Sequence, residues 1–130
     1  MGFFDKIFGE KEVTEANKTS IPWIEISSVN DLDEIVAASN QKTVAIFKHS
    51  TRCGISRMVL KSFESEFDLN DANISMYFLD LLQHRAISNE IAERFNVYHE
   101  SPQLLIIKNG NVVFHTSHGQ IEASLLEKYI

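Results

Sequence analysis

Thr43-Val44-Ala45-Ile46-Phe47-Lys48-His49-Ser50-Thr51-Arg52-Cys53-Gly54-Ile55-Ser56 is the stretch on which the fold turns. Its first six residues form a short, β-branched and apolar run, the pattern of a strand buried on both faces at the centre of a sheet. Beyond Cys53 the period changes. Ile55, Val59, Phe63 and Phe67 recur at helical spacing, Met58 and Leu60 widen the stripe, and Asn70 closes the element. A buried strand therefore passes through a polar loop into a helix, and the chain's one cysteine stands at that junction. A sulfur in the first turn of a helix faces unpaired backbone N–H groups and the positive end of the helix dipole, which favours thiolate over thiol.

Upstream, Pro22 precedes a brief β-type run from Trp23 to Ile26. Ser28 with Asp31 forms a capping pair for a helix over about residues 30–38, with Leu32, Ile35 and Val36 inward. Residues 1–20 stand apart. Phe3, Phe4, Ile7 and Phe8 have the spacing of a short amphipathic helix that docks on the domain's own surface, and residues 9–20 read as a polar connector. Downstream, Ile74 to Leu79 is an apolar strand, and Ala86 to Phe95 a helix with Ile87, Ile91, Ala92 and Phe95 on one side. Gln103 to Lys108 and Val112 to Thr116 flank Asn109-Gly110, a strong hairpin signal. Ile121 to Tyr129 closes as a helix with Ile121, Leu125 and Leu126 inward.

The order β-α-β-α-β-α-β-β-α makes residues 21–130 one α/β domain, a central mixed β-sheet flanked by helices on both faces. In open α/β sheets ligands bind beyond the carboxyl ends of the strands, and the loop from Lys48 to Cys53 leaves such an end. Topology and cysteine point to one place.

Composition narrows the function classes. With 130 residues, 44% of them hydrophobic, the chain can bury a core of its own. Eighteen acids against twelve Lys and Arg give a net charge of -6, which excludes a general nucleic-acid surface and adsorption to anionic lipid. A single cysteine forms no intramolecular disulfide and suits a reducing, cytoplasmic setting. The apolar stretch at Phe3 to Phe8 is too short for a signal peptide and is interrupted by Asp5, and no stretch reaches membrane-spanning length. Gly2 invites a myristoylation reading, but Lys6 stands where Ser or Thr is required. A monomer is expected.

Local charge departs from the global balance. Between Lys48 and Phe63 lie Lys48, Arg52, Arg57 and Lys61 with His49, and no acid. Arg52 and Arg57 are candidates for contact with a thiolate or a bound anion. Thr51, Arg52 and Gly54 are poor company for a packed core cysteine, so Cys53 reads as a reactive thiol.

The element order, a cysteine opening the second helix, and Ser101-Pro102 just before the hairpin together resemble the thioredoxin fold. Within it, Phe47 to Ser56 (FKHSTRCGIS) is similar to the monothiol bacilliredoxins, thioredoxin-like proteins of the bacillithiol system. The resemblance covers about residues 21–130. Two features depart from it. Such bacilliredoxins commonly carry Pro where this chain has Gly54, and Cys53-Gly54-Ile55-Ser56 followed by Arg57 also resembles the Cys-Gly-Phe-Ser of monothiol glutaredoxins.

The resemblance implies a monothiol thiol-disulfide oxidoreductase with Cys53 as nucleophile. Cys53 would take bacillithiol from a mixed disulfide on a cytosolic client, free the client thiol, and be reset by a second thiol molecule. Ser56 occupies the place of a resolving cysteine, and could donate a hydrogen bond to the thiolate. Ser101-Pro102 would be cis and face the cysteine, leaving the backbone of Ser101 to pair with substrate. His118 and Gly119 would supply backbone donors across the groove. The carboxylates of bacillithiol would suit Arg52, Arg57 or Lys48. The expected binding surface is thus Thr51, Arg52, Gly54, Ser56, Arg57, Ser101, Pro102, His118 and Gly119, with bacillithiol as co-substrate and no metal or tightly bound cofactor required.

Two other readings compete. A monothiol glutaredoxin linked to glutathione or an iron-sulfur cluster would need Gly-Gly followed by an acid after the hairpin, where this chain has Ser117-His118-Gly119-Gln120. A non-catalytic binding module of the same fold would keep its activity in Cys53→Ser.

Overall fold

Every residue of β2 (Thr43–His49) is buried, and the reason is its place in the sheet. It pairs in parallel with β3 (Ile74–Asp80) and antiparallel with β4 (Gln103–Lys108). The computed structural model describes residues 21–69 and 72–130. The N-terminal helix, the connector and Asn70 lie outside them. β1, only Ile24–Glu25, joins β3 in parallel, and β5 (Asn111–Ser117) joins β4, so the strand order is β1-β3-β2-β4-β5.

Alternation along β2 sorts the core into two layers. Ala45 and Phe47 face α2 (Gly54–Glu66) and pack with Phe63, Phe67, Met76, Leu104 and Leu126. Val44 and Ile46 face α1 (Asn30–Ala38) and α3 (Arg85–Arg94) and pack with Leu32, Ile35, Leu79, Ile87 and Ile91. Continuing the same alternation puts Lys48 on the α1/α3 side and His49 on the α2 side. Trp23 braces the α2 layer, its ring 5.9 Å from Phe47 and 5.3 Å from Phe78, while its Nε1 donates to Glu64 Oε2 at 2.8 Å.

The hairpin forms where Asn109-Gly110 predicts it, with φ of 53° and 79° at the two residues, the doubly positive turn that matches strand twist. Three elements differ from the sequence reading. Asp31 does cap α1, but by reaching back: its Oδ2 accepts from the N–H groups of Ser27 (2.8 Å) and Ser28 (3.1 Å), and the Ser28 hydroxyl does not cap. Those donors, Ser27 first, hold the Asp31 carboxyl below its ordinary range. The closing segment is a 3-10 helix over Ala123–Tyr129. Its three-residue repeat lines up Ala123, Leu126 and Tyr129 on the core, leaving Leu125 half-buried. Finally, Ile55 and Met58 are 56% and 73% exposed, because packing of α2 on the sheet begins with Ser56 and Val59. Ile55 and Met58 lie on the outer side of α2, away from buried Ser56.

Candidate active site

Cys53 is the N-cap of α2, one residue outside the first turn in which the sequence places it. Its backbone is extended (φ -96°, ψ 119°), and its carbonyl accepts the first helical bond from the Arg57 N–H at 3.0 Å. The thiol is free and half-buried, and it makes no capping bond. The sulfur therefore stands at a helix end whose leading N–H groups have no intrahelical acceptor. Thr51, Arg52 and Gly54 around it are all exposed.

The two arginines divide the local charge between them. Arg57 folds back, its Nη1 donating to the Thr51 carbonyl at 2.9 Å, and a Cβ on Gly54 would sit 3.8 Å from its Nη2. It braces the cysteine loop and covers Gly54. Among the described residues Arg52 makes no hydrogen bond or ion pair and points its charge at solvent.

Ser56 is fully buried, which removes it from the binding surface expected of it. Its Oγ accepts from the Ser50 N–H (3.1 Å) and lies 2.8 Å from His49 Nδ1. A hydroxyl has one proton and two lone pairs, so Ser56 accommodates both neighbours at once, and the imidazole tautomer sets which way the bond to His49 runs. Burial holds the His49 imidazole below its ordinary range, with Asp80 and Glu64 opposing. Ser56 thus ties the end of β2 to the first turn of α2 beneath the cysteine loop.

On the neighbouring strand, the Ser101–Pro102 bond is cis, as the resemblance implies. The antiparallel register pairs Lys48 with Gln103, which brings Pro102 and Ser101 alongside His49 and Ser50 at the foot of the cysteine loop. Among the described residues, Ser101 Oγ is the buried side-chain polar atom without a partner. The expected donor role of His118 needs correction. Its N–H is already taken by the Pro102 carbonyl at 3.0 Å, and its left-handed backbone (φ 56°) turns the chain there. Gly119 is exposed, and a Cβ there would meet nothing within 4 Å, so no close approach requires glycine. Lys48, offered as a partner for carboxylates, is wholly buried and cannot touch a ligand at the surface. Among the described residues no three His, Cys, Asp or Glu side chains gather as a metal site.

A lone, accessible cysteine at this helix start, beside a proline loop, matches one family model directly: residues 24–126 match monothiol bacilliredoxin BrxC. The chain belongs to the monothiol bacilliredoxin family. It is accordingly a thiol-disulfide oxidoreductase with a thioredoxin fold, and its single cysteine fits the monothiol mode. A solved structure described as a candidate oxidoreductase with a thioredoxin fold is 33% identical, with a TM-score of 0.70 over 82% of this chain and 91% of that one. Thioredoxin from Malassezia sympodialis (21% identity, TM-score 0.64, 88% of this chain and 90% of that one) shares the fold. Spinach chloroplast thioredoxin f does so too (20% identity, TM-score 0.61, 82% and 88%). Among the described residues of this bacilliredoxin no helix is long and apolar enough to cross a membrane.

Sequence reasoning missed the surroundings of Lys48. Its Nζ lies 2.8 Å from His99 Nδ1, and Ser88 Oγ lies 3.2 Å from the same nitrogen. A lysine ending an apolar strand was the one available signal, since it breaks the buried pattern of Val44 and Ile46.

Proposed function

We propose that this protein removes bacillithiol from mixed disulfides on client proteins, with Cys53 as nucleophile and bacillithiol as co-substrate. The observation that carries the reading is the reachable Cys53 thiol at the start of α2 with a fully buried serine, not a thiol, three residues on. The Cys53 thiolate attacks the bacillithiol sulfur of the mixed disulfide. A Cys53–bacillithiol disulfide forms, and the client sulfur leaves as a thiolate that takes a proton from water. Since Ser56 supplies no internal thiol, a second bacillithiol thiolate attacks the adduct, forming bacillithiol disulfide and restoring Cys53. No other oxidant or reductant is consumed.

Unpartnered Arg52 suits the carboxylates of bacillithiol through the fork geometry of its guanidinium. Pro102, having no N–H, leaves that edge free for an extended substrate to pair with the Ser101 backbone. A reducing compartment such as the cytoplasm suits the lone thiol. Intact-mass measurement after incubation with bacillithiol disulfide, glutathione disulfide and coenzyme A disulfide tests the proposal. It predicts a bacillithiol adduct on Cys53 that free bacillithiol reverses; a preference for glutathione would overturn the choice of thiol.

A further inference from the structure

Side chains, rather than ladder bonds, fasten the loop from Tyr98 to Ser101. Gln103, buried and paired in register with Lys48, donates from Nε2 to the Tyr98 carbonyl at 2.9 Å. Its Oε1 accepts from the Glu100 N–H at 3.4 Å. The third fastening is Lys48 itself. Its ammonium has three protons and no lone pair, so at 2.8 Å Lys48 Nζ donates and His99 Nδ1 accepts. His99 is therefore neutral, with its proton on Nε2. Burial and the cations Lys48 and Arg85 keep it so by holding its imidazole below the ordinary range, against Glu100.

Lys48 has no solvent exposure, and no carboxylate pairs with it among the described residues, whereas His99 is exposed and caps it. A buried unpaired charge is costly, and a methionine or leucine would continue the Val44 and Ile46 face without that cost. Departures of this kind gather where function requires them. The two ends of the bond say which function. From Lys48 the chain runs on to Cys53, and from His99 it runs on to Ser101 and Pro102, so the contact joins the strand that delivers the nucleophile to the loop beside it.

We propose that Lys48 and His99 are positioning residues for thiol exchange, their hydrogen bond holding the 98–101 loop at the distance from Cys53 that an incoming disulfide needs. The proposal rests on the function given above. Its test uses the full chain with Lys48→Met, His99→Leu and His99→Asn. Asparagine places an amide oxygen near the position of Nδ1 and keeps an acceptor for Lys48; leucine removes it. Three quantities are read: exchange kinetics with a bacillithiolated peptide, alkylation of Cys53 by iodoacetamide, and amide hydrogen exchange at residues 99–101 by NMR.

Losing a hydrogen bond to a charged group predicts a KM about tenfold higher in Lys48→Met and His99→Leu. Alkylation stays within about twofold of wild type, because iodoacetamide needs no loop, and loop amides exchange about tenfold faster. His99→Asn recovers most of the KM loss. Wild-type KM in Lys48→Met and His99→Leu, or equal damage from leucine and asparagine, overturns the proposal. A wild-type protein inert toward the peptide overturns the proposed function instead. The amides then decide alone: faster exchange in both variants supports the latch, and unchanged exchange removes it.

Discussion

Replacing Lys48 by methionine should change how stability depends on pH, by an amount the structure sets. Burial pushes the Lys48 ammonium down from its ordinary 10.5 to about 8. A difference of that size corresponds to about 3 kcal/mol at most, the extra cost of carrying the charge inside the fold. The sign follows from where the protons sit. Between about pH 8 and 10.5 the unfolded chain holds a proton on Lys48 that the folded chain has released, so wild-type stability rises with pH across this window and is flat below it. Lys48→Met has no such term. Every other titrating group is shared, so the difference between the two proteins isolates this one.

Urea unfolding of both proteins at pH 7 and pH 10.5 is the assay. At neutral pH the variant is expected to be the more stable, since methionine fills a similar volume with no charge to desolvate. The lost bond to His99 trims the gain by about 1 kcal/mol, because Ser88 Oγ still reaches the same nitrogen. By pH 10.5 the wild type should have recovered about 3 kcal/mol relative to the variant. A difference between the two that does not change with pH would refute the reasoning, and with it the picture of an unpaired buried ammonium. A gain in stability joined to a loss in exchange is the trade-off expected of a residue kept for function.

Three further outcomes follow from named contacts. Ser56→Ala leaves the Ser50 N–H and His49 Nδ1 without their partner, so denaturant unfolding should show a loss of about 2 kcal/mol. Phe47→Ala removes a fully buried ring at the centre of the sheet and should cost about 3–5 kcal/mol by the same assay. His49, held below its ordinary 6.5 by burial, is neutral when folded. The unfolded chain therefore takes its proton first as pH falls past 6.5, and stability should decline from there; an NMR titration placing His49 above 6.5 would contradict this.

What could be read from the chain alone was whatever rests on local pattern. The unbroken apolar run of β2 announces a strand covered on both faces, and Asn109-Gly110 announces its turn, because each reflects forces acting within a few residues. Cys53 is legible for the same reason: strand, polar loop and helix start adjoin it in sequence. Ser56, by contrast, reads as a first-turn surface serine until the sheet end places His49 beneath it. Lys48 looks like an ordinary strand terminus until a residue 51 positions away closes over its ammonium. Ile55 and Met58 match the helical stripe, yet the side of α2 that is buried runs through Ser56 and Phe63 and leaves them exposed. The 3-10 geometry of Ala123–Tyr129 shares its apolar positions 123 and 126 with an α-helical pattern, so spacing alone does not separate the two.

The central claim is that one sulfur performs the exchange, and the most direct measurement follows release of bacillithiol from a bacillithiolated client by intact mass, with wild-type protein and Cys53→Ser side by side. Wild type should free the client, passing through a Cys53 adduct, and the serine variant should do neither. Release at an undiminished rate by Cys53→Ser would contradict the account.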